Sequence, residues 1–189
     1  MDIVALILVG GKSTRMKGNN KAFLTLNDKK FIDIIIDNLK ILKKIYISVD
    51  SKEKYKELDY ELIVDKYKEI GPIGGLYSSL KYIKEDYVFV TACDMPKLSS
   101  EFVKFMISNL EEGDTCVVPQ DSDGRLYPLG GIYSKKIIPV IEEMLENKNY
   151  KLMNLVKNIN GKIINIGNTK FDKDVLININ NYYDYDNLK

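Results

Sequence analysis

The chain has 189 residues, of which 45% are hydrophobic and 29% charged, and its formal net charge is +1. These values are ordinary for a globular protein and predict a single domain over residues 1–189, without the basic block that a nucleic-acid or membrane-surface partner would favour. The sequence contains no histidine, which excludes Ser-His-Asp and Cys-His catalysis and any imidazole metal site. Its chemistry would therefore use carboxylates, Lys, Arg, backbone amides and a bound ion.

The apolar run near the start, residues 3–9, is too short to span a bilayer and lacks the flanking pattern of a signal peptide. We therefore expect a cytoplasmic protein with no membrane partner. The two cysteines, Cys93 and Cys116, each lie near the end of an apolar run. We expect both to be small core residues, because two cysteines form neither a disulfide framework nor a metal site.

Apolar runs alternate with helical patterns along the whole chain. The predicted strands are 2–9, 44–49, 61–64, 86–92, 114–118, 129–133, 162–166 and 175–179. Several of these runs are continuously apolar, as is typical of strands buried on both faces. The alternation predicts an α/β domain of three α/β/α layers with a mainly parallel sheet. In such a sheet ligands bind beyond the carboxyl ends of the strands.

Four stripes of apolar residues at the spacing i, i+3, i+4 predict helices between the strands. They begin at Ile32, Ile73, Val103 and Ile137. Ser99 and Ser100 are candidate caps for the third helix. Residues 147–155 are predicted to form a loop, and the Asn- and Tyr-rich end of the chain is predicted to be a short helix.

The first predicted strand leads directly into the segment VGGKSTRMKGNNK. Gly10 and Gly11 allow the backbone to approach phosphate oxygens, and Arg15 and Lys21 add the positive charge that a triphosphate requires. The segment is not a P-loop, because Leu6 occupies the position of that motif's first glycine. We interpret it as another kind of phosphate-binding loop.

The segment CDMP places Asp94 directly after a predicted strand. Pro96 prevents the strand from continuing, so the carboxylate falls at the carboxyl edge of the sheet, where a metal ligand is favoured over a turn residue. One aspartate is enough for Mg²⁺, because this ion takes only one or two protein carboxylates and fills its other positions with phosphate oxygens and water. We predict that Asp94 binds Mg²⁺, or Mn²⁺ in its place.

These two segments resemble the L-A-G-G-x-S-x-R-M-G-x-D-K and C-D-x-P motifs of the molybdenum cofactor guanylyltransferase family. The resemblance implies the Rossmann-like, glycosyltransferase-A-like nucleotidyltransferase fold, with Asp94, Lys21 and Arg15 as catalytic residues. It also implies nucleotide contacts from the first loop and from the metal ligand, namely Leu8, Val9, Gly10, Gly11, Lys21 and Asp94. Val9 stands where the family has alanine, and Asn20 where it commonly has aspartate.

The segment GPIGGL follows a short predicted strand and begins a helix. It resembles the family's G-P-L-A-G-L, which lies against the nucleoside, and this implies nucleotide contacts from Gly71 and Gly74. Asp65 falls near a family position that contacts the guanine nucleotide. The corresponding family position on the second strand falls around Ser48, where the alignment is too loose to assign a role.

Two later segments resemble the acceptor side of the family's site. GRLYPLGGIY contains Arg125, which would meet an anionic acceptor, and the segment NIN contains Asn178 and Asn180, which resemble the family's N-x-N-T-P-x-x-L. The asparagine carbonyls would assist at a metal or an acceptor phosphate. The Thr-Pro pair of the family is replaced by Asn181 and Tyr182, so the following helix is expected to start differently.

The resemblance implies transfer of GMP from GTP to the terminal phosphate of molybdopterin cofactor, with release of pyrophosphate. The protein would act as a monomer, with transient contacts to cofactor-delivery proteins or acceptor molybdoenzymes. Two alternatives stay open. One is a related nucleotidyltransferase that uses CTP or another nucleotide on the same cofactor, or on a sugar or alcohol phosphate. The other is a nucleotide-binding homologue without turnover.

Overall fold

The structure is a computed structural model that describes residues 1–10, 21–171 and 173–188. Seven strands form one sheet in the order β5-β4-β1-β6-β8-β7-β9, and two further strands form a hairpin. The strands are β1 (Ile3–Leu8), β2 (Thr25–Leu26), β3 (Lys29–Lys30), β4 (Ile45–Val49), β5 (Glu61–Val64), β6 (Tyr87–Ala92), β7 (Cys116–Gln120), β8 (Gly131–Ser134) and β9 (Lys162–Asn165). Within this sheet only β8 runs antiparallel to its neighbours, which confirms the predicted mainly parallel architecture.

Helices cover both faces of the sheet. They are α1 (Phe31–Leu39), α2 (Pro72–Tyr82), α3 (Ser100–Ser108), α4 (Ile138–Glu146), α5 (Leu152–Asn158) and α6 (Tyr182–Asp186). Alternate residues of each strand point to opposite faces. Ile7 therefore packs in the core cluster that contains α1 and α3, whereas Leu6 packs in the cluster that contains α2, α4 and α5. The three-layer α/β/α prediction is confirmed.

The last predicted strand, 175–179, is wrong. Residues Lys173–Leu176 form a 3-10 turn, and the chain then passes the end of β6, where the Ile179 amide donates a hydrogen bond to the Asp94 carbonyl at 2.8 Å. The apolar side chains of this segment, such as Leu176 and Ile179, are buried as a strand's would be. Leu176 packs in the core cluster that contains α1 and α3, although the segment does not join the sheet. The sequence pattern could not separate these two arrangements.

Two further elements differ from the sequence prediction. The predicted loop 147–155 contains the start of α5, whose Leu152, Leu155 and Val156 are buried at helical spacing. The β2–β3 hairpin was not predicted, although Asn27 and Asp28 have the positive φ values of 50° and 63° that a two-residue hairpin turn requires. This hairpin directly precedes α1 and follows the 3-10 turn at Lys21–Phe23.

Both cysteines are free and buried, as predicted. Among the residues that the structure describes, no helix is long and apolar enough to cross a bilayer.

Of the two candidate caps of α3, the structure selects Ser99, whose hydroxyl accepts a hydrogen bond from the Phe102 amide at 3.2 Å. We expect Ser99→Ala to lower the free energy of unfolding by about 1 kcal/mol, because one amide of the first turn loses its acceptor. Chemical denaturation would measure the change. Ser100→Ala is the matched control and should change stability far less, because Ser100 is already inside the helix. Equal effects of the two substitutions would contradict this assignment of the cap.

Candidate functional site

The site lies where the order of the strands reverses. From β1 the chain moves outward to β4 and β5, and then returns to place β6 on the other side of β1. Open α/β sheets bind ligands in the crevice at this reversal, beyond the carboxyl ends of the strands. Leu8 at the end of β1 is paired with Ser48 of β4 and with Ala92 of β6, so the residues that follow these three strands are brought to one edge.

Asp94 at this edge is held by two side chains from distant parts of the sequence. The Lys21 ammonium donates to Asp94 Oδ2 at 2.9 Å, and the Asn178 amide donates to Asp94 Oδ1 at 3.0 Å. The side chains of Lys21 and Asp94 are only 19% and 13% exposed. The structure therefore brings together two predicted catalytic residues and one predicted acceptor residue.

The surroundings of Asp94 suit a divalent ion with few protein ligands. Its carboxylate already accepts a cation, the Lys21 ammonium, at 2.9 Å. Among the described residues no group of three or more His, Cys, Asp or Glu side chains is placed to hold a metal. An ion bound at Asp94 would thus take most of its ligands from phosphate and water, as Mg²⁺ usually does.

Asp65 forms the second part of the site, beside the end of β1. The Ser48 hydroxyl donates a hydrogen bond to Asp65 Oδ1. A Cβ added to Gly10 would lie 3.2 Å from Asp65 Oδ2, so this glycine lets the first loop pass close to the carboxylate. Burial raises the pKa of Asp65, and the nearby charge of Asp50 raises it further, while the bond from Ser48 opposes both effects.

The start of α2 packs directly against this pair. A Cβ on Gly75 would overlap the Ser48 hydroxyl and would lie 3.3 Å from Asp65 Oδ1. Gly71, the residue before the helix, has φ 82° and ψ −167°, a conformation essentially restricted to glycine. A Cβ added at this position would have no atom within 4 Å. Gly74 instead packs against the Tyr67 carbonyl, 2.5 Å from where a Cβ would be. Packing explains Gly74, and its contact with a nucleotide stays a prediction.

The three predicted acceptor residues line one cleft. Arg125, Asn178 and Asn180 contribute to its wall together with Tyr127 and Lys97, and its volume is about 650 Å³. Because Asn178 also donates to Asp94, the cleft adjoins the predicted metal ligand. After Asn180, Asn181 caps α6 in a capping box with Asp184, and the difference expected from the missing Thr-Pro pair stays a prediction.

Two predicted residues, Gly11 and Arg15, lie outside the residues that the structure describes. Leu8 and Val9 are buried at the end of β1, which leaves their backbone as the part that a nucleotide would meet.

Three residues near the site were not assigned from the sequence. They are Ser48, Gly75 and Asp50, whose Oδ1 is buried with no hydrogen-bond partner in the described part of the chain. Asp50 follows β4 directly, so its place after a buried strand was a usable signal. Ser48 and Gly75 could be found only from the way that β4, β5 and α2 pack.

A mainly parallel α/β sheet with a glycine, a lysine and two partly buried carboxylates at its switch point is typical of nucleotide-binding proteins of the Rossmann-like class. The family described as the MobA-like NTP transferase domain matches residues 5–162, and the chain belongs to this family. The family resemblance found in the sequence is thereby confirmed.

Curated relatives carry a more specific name. A probable molybdenum cofactor guanylyltransferase of Clostridium perfringens (strain 13 / Type A) is 38% identical over 85% of this chain and 80% of its own length. A protein of the same name from Carboxydothermus hydrogenoformans is 33% identical over 99% of this chain and 95% of its own length.

Solved structures show the same fold. The crystal structure of Aq1419 from Aquifex aeolicus VF5 has a TM-score of 0.79 at 31% identity, covering 94% of this chain and 92% of its own. Rv0371C from Mycobacterium tuberculosis H37Rv, solved in complex with manganese, has a TM-score of 0.73 and covers 100% of this chain and 98% of its own. Its identity of 13% supports similarity of fold alone.

We expect Asp65→Asn to stabilise the protein at neutral pH while weakening nucleotide binding. The folded-state pKa of Asp65 is raised above its ordinary value of 3.8, so the ionised carboxylate costs stability that the neutral amide does not. The gain should be absent below pH 3.8, grow as the pH rises through the raised pKa, and stay constant above it. Denaturant titrations at several pH values would measure it.

Asp2→Asn is the control for this prediction. Asp2 is exposed, and its hydrogen bond from Lys43 lowers its pKa, so its replacement should not stabilise the protein at any pH. If Asp65→Asn and the parent were equally stable at neutral pH, burial of the ionised Asp65 carboxylate would not cost stability, and the prediction would be wrong.

Proposed function

We propose that this protein transfers GMP from GTP to the terminal phosphate of molybdopterin cofactor, releasing pyrophosphate and forming molybdopterin guanine dinucleotide. The observation that carries the proposal is the position of Asp94. It is contacted by Lys21, which follows the glycine-rich segment in the sequence, and by Asn178 from the wall of the cleft. These two contacts support a site in which the triphosphate and the second substrate meet at one carboxylate.

Lys21, together with Arg15 and the amides of Gly10 and Gly11, binds the β- and γ-phosphates. The charge on these phosphates grows as pyrophosphate leaves, so fixed positive groups stabilise the transition state more than the bound substrate. Asp94 would hold Mg²⁺, with Mn²⁺ as a substitute. A divalent ion bound there supplies further neutralisation of the triphosphate charge.

Asp65 and Gly71 lie on the nucleoside side of the site. An ionised carboxylate only accepts hydrogen bonds, so it suits the N–H donors of guanine or the hydroxyls of ribose. The buried, unpartnered Oδ1 of Asp50 adds a second acceptor beside Asp65 among the described residues. Two neighbouring acceptors favour a base edge that is rich in donors, which supports guanine.

The acceptor needs no general base. Its terminal phosphate is already ionised at neutral pH, because the second pKa of a phosphate monoester is about 6. One of its oxygens forms a bond to the α-phosphorus of GTP, and the bond between that phosphorus and the bridging oxygen breaks with its electron pair leaving on pyrophosphate. Arg125, Asn178 and Asn180 bind the acceptor in the cleft. A chain without histidine can therefore perform this reaction.

The monomeric state, the cytoplasmic location and transient contacts with cofactor-delivery proteins or molybdoenzymes stay predictions from the sequence.

The substrate is tested by measuring pyrophosphate release from GTP, CTP, ATP and UTP, each with and without molybdopterin cofactor. We expect release only with GTP and only when the cofactor is present. Release with CTP would support the alternative cytidylyl transfer. Nucleotide binding without release for any acceptor, including sugar and alcohol phosphates, would support a non-catalytic homologue.

The site is tested by Asp94→Ala, which we expect to lower the rate of pyrophosphate release by about a thousandfold or more. Lys21→Ala should lower it somewhat less, because other groups also contact the phosphates. Asp2→Ala is the matched control, since Asp2 also pairs with a lysine, Lys43, but is exposed at the opposite end of β1. An Asp94→Ala variant with near-normal release would refute the assignment.

A further inference from the structure

The Arg125 guanidinium lies over the ring of Tyr127, a residue to which the sequence assigned no role. The guanidinium carbon of Arg125 lies 5.2 Å from the centroid of the Tyr127 ring. Arg125 itself is exposed, whereas Tyr127 is buried and lines the same cleft. An arginine stacked on an aromatic ring keeps its planar donors directed outward, where they match the oxygens of a phosphate.

Tyr127 is fixed in turn by a buried carboxylate. Its hydroxyl donates to Asp121 Oδ2 at 2.8 Å, and Asp121 is only 5% exposed. Burial and the bond to Asp121 raise the pKa of Tyr127 to about 12, so the hydroxyl stays a donor at physiological pH.

The same carboxylate also fixes the backbone of the arginine. Asp121 Oδ1 accepts hydrogen bonds from the amides of Asp123 and Arg125, both at 2.9 Å, and the Asp121 amide donates to the Arg125 carbonyl at 3.0 Å. The loop that carries Arg125 is therefore folded around one side chain. Tyr127 connects the Asp121 carboxylate to the Arg125 guanidinium. Arg125 is therefore held both at its backbone and at its guanidinium group.

A buried carboxylate is tolerated when it accepts hydrogen bonds, and the described residues that donate to Asp121 include Asp123, Arg125 and Tyr127. The group that the arrangement fixes is a single exposed arginine beside Asn178, which reaches Asp94. A flexible arginine would lose side-chain entropy on binding an anion, and a fixed one has already lost it.

We infer that Tyr127 is a positioning residue that holds the Arg125 guanidinium in place to bind the terminal phosphate of the acceptor. This inference rests on the proposed function for the identity of the acceptor. The planar guanidinium of Arg125 suits the oxygens of a phosphate monoester, which is the acceptor group of the proposed function.

The test compares Tyr127→Phe, Arg125→Ala and the double variant. Tyr127→Phe keeps the ring and removes the bond to Asp121, so we expect the KM for molybdopterin cofactor to rise about tenfold. The KM for GTP and kcat should be unchanged, because the GTP side is not touched. The double variant should match Arg125→Ala alone, since Tyr127 acts only through the arginine.

Two further variants separate positioning from general damage. Tyr82→Phe is the matched control, because it also removes a hydroxyl bonded to a carboxylate, Glu61 at 2.7 Å, on an exposed part of α2. Arg125→Lys keeps the charge on an exposed residue, so folding should not depend on it. It loses the planar stack, and we expect an acceptor KM close to that of Arg125→Ala.

Equilibrium binding of molybdopterin cofactor under anaerobic conditions makes the outcomes distinct. Unchanged cofactor affinity in Tyr127→Phe or Arg125→Lys, or additive effects in the double variant, would overturn the inference while GMP transfer could stand. Affinity that depends on Arg125 and Tyr127 without pyrophosphate release would support the inference and contradict the proposed function. A protein that does not bind the cofactor at all would contradict both.

Discussion

The carboxylate of Asp94 is the group on which the rest of the site depends. It is mostly buried, and an ionised group in that position is tolerated only if it is paired. The pairing comes from Lys21 near the start of the chain and from Asn178 near its end. A single charge thus draws together three segments that the sequence separates widely. The parallel sheet makes this meeting point available, because β1 and β6 end side by side.

The second carboxylate of the site, Asp65, lowers the stability of the fold when it is ionised. Asp65 has a raised pKa because it is buried, and its ionised form is supported by Ser48. Gly10 and Gly75 leave the space in which this pair fits. Those glycines contribute no side-chain packing. The ionised form of Asp65 is also less favourable here than in water, because the carboxylate is partly buried. Stability alone does not explain this arrangement, and the nucleotide of the proposed function would supply donors that compensate the carboxylate.

The sequence predicts the features that depend on local pattern. Strand and helix alternation gives the sheet, the break after Ala92 places Asp94 at its edge, and the glycines after β1 mark the loop. Features that depend on packing are not accessible in this way. The contact between Ser48 and Asp65 requires β4 and β5 to pair in one register, in which Val49 lies opposite Val64. The segment 175–179 carries the apolar, β-branched run of a strand, but the Ile179 amide donates to the Asp94 carbonyl and not to a neighbouring strand.

Residues near the end of the chain contribute to the candidate site, although the family match covers only residues 5–162. Asn178 reaches Asp94, and seven residues later the Tyr185 hydroxyl donates to the Thr25 carbonyl at 2.6 Å while its ring packs on Phe31. Thr25 follows Lys21 by one short turn. The same C-terminal segment therefore contacts Asp94 directly and packs against the hairpin and helix that follow Lys21. A site assembled on loops needs support from other elements, and these two contacts connect the described part of the site to the C-terminal segment.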